Sequence, residues 1–250
     1  MTAVHLLVVN PNTSPTMTAA IAGAAQAVAA PGTTVTTVGP EYGPVAIDSA
    51  MESYLSAVAV VDRVTGLAQS FDAVILAGFG EHGRDALAEV LAVPVLDIAE
   101  CAAIVAQLIG RTYSVVTTLQ RSVGAIEDRL LLAGLDRRCA SVRACGWGTA
   151  AVDADPDGAV TAVLAEARKA VVEDHAEVIC LGCGGMADLA ERITAELGVP
   201  VVDGVAAGVR MAEALVGLGL TTSKVCTYAF PEPNELVGWP AARAFATAAP

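Results

Sequence analysis

Short, uninterrupted runs of β-branched and aliphatic residues recur along the chain, separated by longer Ala-rich stretches with apolar residues three or four positions apart. The runs predict strands at 4–9, 34–38, 73–77, 93–96, 113–117, 142–145, 178–181 and 199–202. The intervening stretches predict helices at 16–29, 52–68, 84–91, 160–173 and 187–197. The strands are apolar throughout rather than alternating, which describes parallel sheets covered on both faces by helices. The expected class is therefore α/β.

The pattern repeats. Residues 72–97 read DAVILAGFGEHGRDALAEVLAVPVLD, and residues 177–203 read EVICLGCGGMADLAERITAELGVPVVD. Each is an apolar strand, a Gly-rich turn, a short helix, a Val-Pro-Val strand and an aspartate. Pro94 and Pro200 stand at the same separation as Asp97 and Asp203. Upstream, LLVVNPNT and YSVVTTLQ also correspond. Two related Rossmann-like halves follow, at 1–108 and 109–210, with 211–250 expected to return to the first half. Ligands of open parallel sheets bind beyond the carboxyl ends of the strands. Two facing halves would put four turns around one cleft: Asn10 to Thr13, Gly78 to Gly83, Thr117-Thr118 and Gly182 to Gly185.

Composition narrows the function classes. Hydrophobic residues make up 54% of the 250, aromatics 4% and charged residues 16%, which excludes disorder. Mean hydropathy is +0.59, yet the longest uncharged apolar stretches, such as 101–110, fall far short of the roughly 20 residues of a membrane span. The N-terminal residues lack the cationic segment of a secretion signal, so a cytoplasmic protein with no membrane partner is expected. The net charge of −13 argues against a nucleic-acid partner, because phosphates need clustered cations. Six cysteines without a secretion signal read as reduced thiols. The expected partner is a small-molecule substrate, with no metal site among the cysteine spacings.

Cys183 is the leading candidate for chemistry. It sits between glycines at a strand-to-helix turn, where a helix N-terminus favours thiolate. Cys180 belongs to the preceding strand, and Cys101, Cys139, Cys145 and Cys226 read as structural. Gly78-x-Gly80-x-x-Gly83 formally matches a dinucleotide fingerprint, with Asp97 as the candidate ribose acid, but its short helix and the bulk of Glu81-His82 argue for an ordinary turn. Asp97 and Asp203 are expected to cap the following elements. His82 reads more readily as a solvent-facing helix-start residue than as a catalytic one. His5 and His175 receive no role.

NPNTS near the N-terminus, the turn at 77–83, SVVTTL at 114–119 and LGCGGMADL at 181–189 together resemble the aspartate/glutamate racemase superfamily, and more closely its hydantoin and allantoin racemase branch. The resemblance covers nearly the whole chain. It implies two halves related by a pseudo-twofold axis, an active site between them, no cofactor and a tendency to homo-oligomerise. It implies two cysteines on opposite faces of a 5-substituted hydantoin such as allantoin. One removes the proton alpha to a carbonyl, and the other returns a proton from the far side. By motif, Cys183 is the second-half cysteine. Asn12, Val45, Phe79, Gly80, Thr117, Thr118, Gly184 and Gly185 take the substrate-binding positions.

The first-half cysteine would fall at Gly78, and glycine transfers no proton. His82 or Glu81 would then be the candidate substitute base. A one-cysteine decarboxylase of the arylmalonate type, in which the superfamily also has glycine here, is the alternative. So is a racemase inactivated by the glycine, or a binding protein that kept only the cleft.

Overall fold

The computed structural model describes residues 3–148, 155–182 and 189–232. The first half runs β1 (Val4–Val9), α1 (Pro15–Val28), β2 (Thr33–Val38), α2 (Ala50–Thr65), β3 (Ala73–Leu76), α3 (Arg84–Val90), β4 (Val95–Asp97) and α4 (Ile98–Ile109). The second runs β5 (Tyr113–Thr117), α5 (Val123–Leu132), β6 (Cys139–Ala144), α6 (Pro156–Val172), β7 (Val178–Leu181), α7 (Ala190–Leu197), β8 (Val201–Asp203) and α8 (Gly204–Gly217). Each half forms a four-stranded sheet, in the orders β2-β1-β3-β4 and β6-β5-β7-β8. Every pairing is parallel, with β1 and β3 in register at Val9 and Leu76, and β5 and β7 at Val116 and Leu181. The order is the same in both halves, as the repeat requires.

The Val-Pro-Val strands start one residue after their prolines. Proline has no N–H for the ladder, so each contributes only its carbonyl: Pro94 accepts from Val74 N at 2.9 Å and Pro200 from Ile179 N at 3.0 Å. The aspartates that end these strands cap the helices that follow. Asp97 Oδ1 accepts from Glu100 N at 2.8 Å, and Asp203 Oδ1 from Ala206 N at 2.7 Å. Strand β6 begins earlier than its apolar run, because Cys139 pairs with Tyr113 across a register shift.

The helices after the two caps cross over. α4 packs on β7 and β5 of the second sheet, α8 packs on β3 and β1 of the first, and the two helices lie against each other. One core cluster therefore takes in Leu6 and Ile75 from the first sheet, Tyr113 and Val178 from the second, and Val205 from α8. Small residues permit the approach: Ala99, Ala102, Ala103 and Ala106 on α4, and Gly208 on α8, where a methyl would stand 2.9 Å from Ile75 Cγ2. This shared layer holds the carboxyl ends of both sheets towards one another. No helix among the described residues is long and apolar enough to cross a membrane.

Candidate active site

A cleft of about 410 Å³ lies where the strands end. All four turns reach it: Asn10 to Asn12 after β1, Ala77 to His82 after β3, Thr117 and Thr118 after β5, and Gly182 after β7. The open side is framed by the start of α2, from Ile47 to Tyr54, and by Arg121, Ser122, Ala125 and Asp128. Cys183, Gly184 and Gly185 lie outside the described residues; Gly182, which immediately precedes Cys183, lines the wall.

The polar side chains of the β1 turn satisfy one another. Asn10 Nδ2 donates to Asn12 Oδ1 and to Thr18 Oγ1, both at 2.9 Å, and Ser14 N donates to the same Asn12 oxygen at 2.9 Å. Both asparagines are buried. With its oxygen occupied twice, the Asn12 amide keeps its hydrogens for another acceptor. Thr117 and Thr118 are likewise buried at the cleft wall.

His82 departs from the sequence expectation. It lines the cleft rather than facing solvent, and the residue is 6% exposed. Its ring lies directly over Gly78. A methyl placed on Gly78 would overlap His82 Cδ2 and stand 2.9 Å from Nε2, with Pro11 Cγ at 2.8 Å on its other side. The imidazole thus occupies the space that a side chain at position 78 would need. Burial disfavours the imidazolium and brings the His82 pKa down from 6.5 to about 4; Asp97 opposes the shift and Arg129 reinforces it. At neutral pH the ring is uncharged.

Glu81, the other candidate base, is committed elsewhere. Its Oε1 accepts from Gly83 N at 2.8 Å, and its Oε2 lies 3.4 Å from Arg129 Nη1. Asp97 is fully buried and bonded to Arg129, as well as capping α4, so it is not available to a ribose and the dinucleotide reading fails on geometry. Among the described cysteines, none lines the cleft. Burial raises the thiol pKa of Cys101 and Cys180, pushes Cys139 up to about 11 and raises Cys145, which fits structural rather than nucleophilic roles. Phe79 and Gly80 line the cleft, but Val45 is 69% exposed and stands away from its wall.

Several cleft residues escaped the reading of the sequence. Asp48, Ser49, Ser53 and Tyr54 arrive together at the N-terminus of α2. A signal for that end existed, since Ser49-x-x-Glu52 is a capping box. Glu52 N donates to Ser49 Oγ at 3.4 Å, and Glu52 Oε2 accepts from Asp48 N at 2.8 Å. Arg121 had no such signal, because the carboxylates it faces, Asp48 and Glu52, come from the opposite half.

Packing at position 78 is testable directly. Gly78→Cys alone is expected to lower stability by about 1–3 kcal/mol through overpacking against His82 and Pro11. Gly78→Cys combined with His82→Ala is expected to recover most of that loss in thermal unfolding. Equal midpoints for the single and double variants would show that the ring does not fill the slot.

A two-half α/β protein, with one cleft lined by turns at the strand ends of both halves, is the class defined by this fold. A match to the Asp/Glu/Hydantoin racemase family spans residues 6–212, and the chain belongs to that family. It is an isomerase of the racemase type. It is 40% identical to a hydantoin racemase of a Pseudomonas species (strain NS671) over 92% of this chain and 93% of that protein. Among solved structures it superposes on an allantoin racemase from Pseudomonas fluorescens with a TM-score of 0.93 and 55% identity, covering 94% of this chain and 100% of the other. An allantoin racemase from Klebsiella pneumoniae gives 0.90 and 40% identity, covering 94% and 96%.

Proposed function

We propose that this protein racemises a 5-substituted hydantoin, allantoin being the leading candidate, with no cofactor and with Cys183 and His82 as the two proton carriers. The observation that carries the second assignment is the uncharged His82 ring lying over Gly78, in the slot a side chain there would fill. Support for the substrate comes from the names of the relatives and from the neutral donors of the wall. The Asn12 amide and the Thr118 hydroxyl suit imide and urea oxygens, while Thr117 Oγ1 donates to Gly182 O at 3.4 Å.

In one direction His82 Nε2 takes the C5 proton: the C5–H bond breaks, an N–H bond forms, and the electron pair moves onto the adjacent carbonyl oxygen as an enolate. The Cys183 thiol then delivers its proton to the opposite face of C5, leaving a thiolate. Loss of the imidazolium proton to water and return of a proton to sulfur restore the resting pair. The reverse direction runs the same steps backwards, from thiolate and imidazolium.

Enantiopure allantoin and an enantiopure 5-alkyl hydantoin in D2O test this, followed by optical rotation and deuterium uptake against an enzyme-free control. Loss of rotation with deuterium uptake above the control is the expected result. Cys183→Ser should reduce the rate by about 10²–10⁴-fold, the usual worth of a positioned proton carrier. Uptake with rotation retained would mean a single working face, and no uptake with either ring would overturn the reading.

A further inference from the structure

Ser53 enters the cleft from the first turn of α2, and its hydroxyl has two neighbours. Its Oγ donates to the Glu81 carbonyl at 2.8 Å and lies 3.2 Å from His82 Nδ1. A hydroxyl carries one hydrogen, and a backbone carbonyl can only accept. The hydrogen of Ser53 therefore goes to Glu81 O, and the contact with the ring requires the hydrogen to be on Nδ1. That leaves Nε2 as the nitrogen with the lone pair. A flip of the ring would put a carbon against the hydroxyl and forfeit the bond.

The opposite edge of the ring is placed to use that lone pair. Nε2 lies between Gly78 and Gly80, at 2.9 and 3.2 Å from where their Cβ atoms would be. Side chains at either position would cover it. Two glycines in sequence and one serine from a helix 29 positions away thus leave one nitrogen open towards the cleft. We infer that Ser53 is a positioning residue that fixes His82 as the Nδ1–H tautomer, with the Nε2 lone pair directed at the substrate. The inference rests on the reading of His82 as a proton carrier, and its first test does not depend on turnover.

Protein labelled with 15N-histidine is the probe, read by long-range proton–nitrogen correlation. The chain has three histidines, and the signals of His82 are those lost in His82→Gln. A pyrrole-like Nδ1 and a pyridine-like Nε2 at neutral pH are expected for His82. A protonated Nε2 in the unsubstituted protein would overturn the inference, whether or not the protein racemises anything. Ser53→Ala should release the ring to a mixture of tautomers and lower kcat by about 10–100-fold with KM little changed, the usual effect of removing a group that orients a reacting one. Ser53→Thr, which keeps the hydroxyl, should restore both signals. An unchanged tautomer in Ser53→Ala, or a loss confined to KM, would also overturn it.

Discussion

Replacing His82 with glutamine is expected to slow racemisation by about 10²–10⁴-fold while leaving deuterium exchange at C5 on one face. Cys183 would then be the remaining proton carrier, so one enantiomer should exchange without inversion and the other should not exchange. Optical rotation and deuterium content, measured on both enantiomers, separate this from a simple loss of binding. Racemisation at the unsubstituted rate would remove His82 from the mechanism and return attention to Glu81, despite its bonds to Gly83 and Arg129.

The same ring makes a second, independent signature in stability. The His82 pKa is near 4 in the folded chain against 6.5 for the free group, so between those values the unfolded chain binds more protons. Stability should therefore be unaffected by this residue above pH 6.5 and should fall as pH drops through that window, by about 3 kcal/mol in total. His82→Gln should flatten that part of the stability profile. The loss is the energy of keeping an imidazole neutral in a buried place. A base with a pKa of about 4 is weak, but its conjugate acid returns a proton to a carbanion readily. In the proposed scheme one direction of racemisation uses the first step at His82 and the reverse direction uses the second.

Arg129 is expected to be a costly residue to remove for stability. It lies on α5 in the second half, 7% exposed, and reaches across to the first. Its Nε donates to Asp97 Oδ2 at 3.1 Å, its Nη2 pairs with Asp97 and Glu100, and its Nη1 approaches Glu81. Arg129→Met removes the cation and leaves the Asp97 carboxylate, which has no exposure to water, without its countercharge. Breaking a buried pair in this way costs about 3–5 kcal/mol. For a chain of this size that corresponds to a fall in Tm on the order of 10 °C.

The control is Asp97→Asn in the same background. Asparagine can still cap α4 through its oxygen but carries no charge, so the double variant should recover much of the loss. A double-mutant cycle in thermal or urea unfolding measures the coupling. If Arg129→Met unfolds at the unsubstituted midpoint, the pair is not what joins the halves behind the β3 turn. Removal of Arg129 also removes a charge that opposes the imidazolium, so the acid limb of the His82 profile should move to higher pH.

Most of the architecture was present in the order of residues. Continuous apolar runs could only be buried on both faces, and buried parallel strands need helices between them, so the α/β class follows from burial alone. The repeat at Pro94 and Pro200 established two equivalent halves, and Asp97 and Asp203 were legible as caps because a carboxylate after a strand meets the open N–H groups of the next helix. The four turns of the cleft were legible for the same reason: each follows an apolar strand, and strand ends of parallel sheets point the same way.

What the sequence could not decide was everything that depends on a neighbour distant in the chain. His82 reads as a solvent-facing helix start, because a lone histidine after Gly-x-Gly-x carries no sign of burial. Its environment comes from Pro11, Ser53 and Arg129, on three other elements. Val45 sits beside cleft-forming residues in sequence and yet is exposed and outside the cleft lining, since a loop residue's placement is set by backbone turns that no periodicity records. Composition and periodicity are properties of a strand or a helix by itself, and they determined the fold. The burial of His82 and the contacts of its ring are properties of groups distant in the chain, so only the tertiary structure decided them.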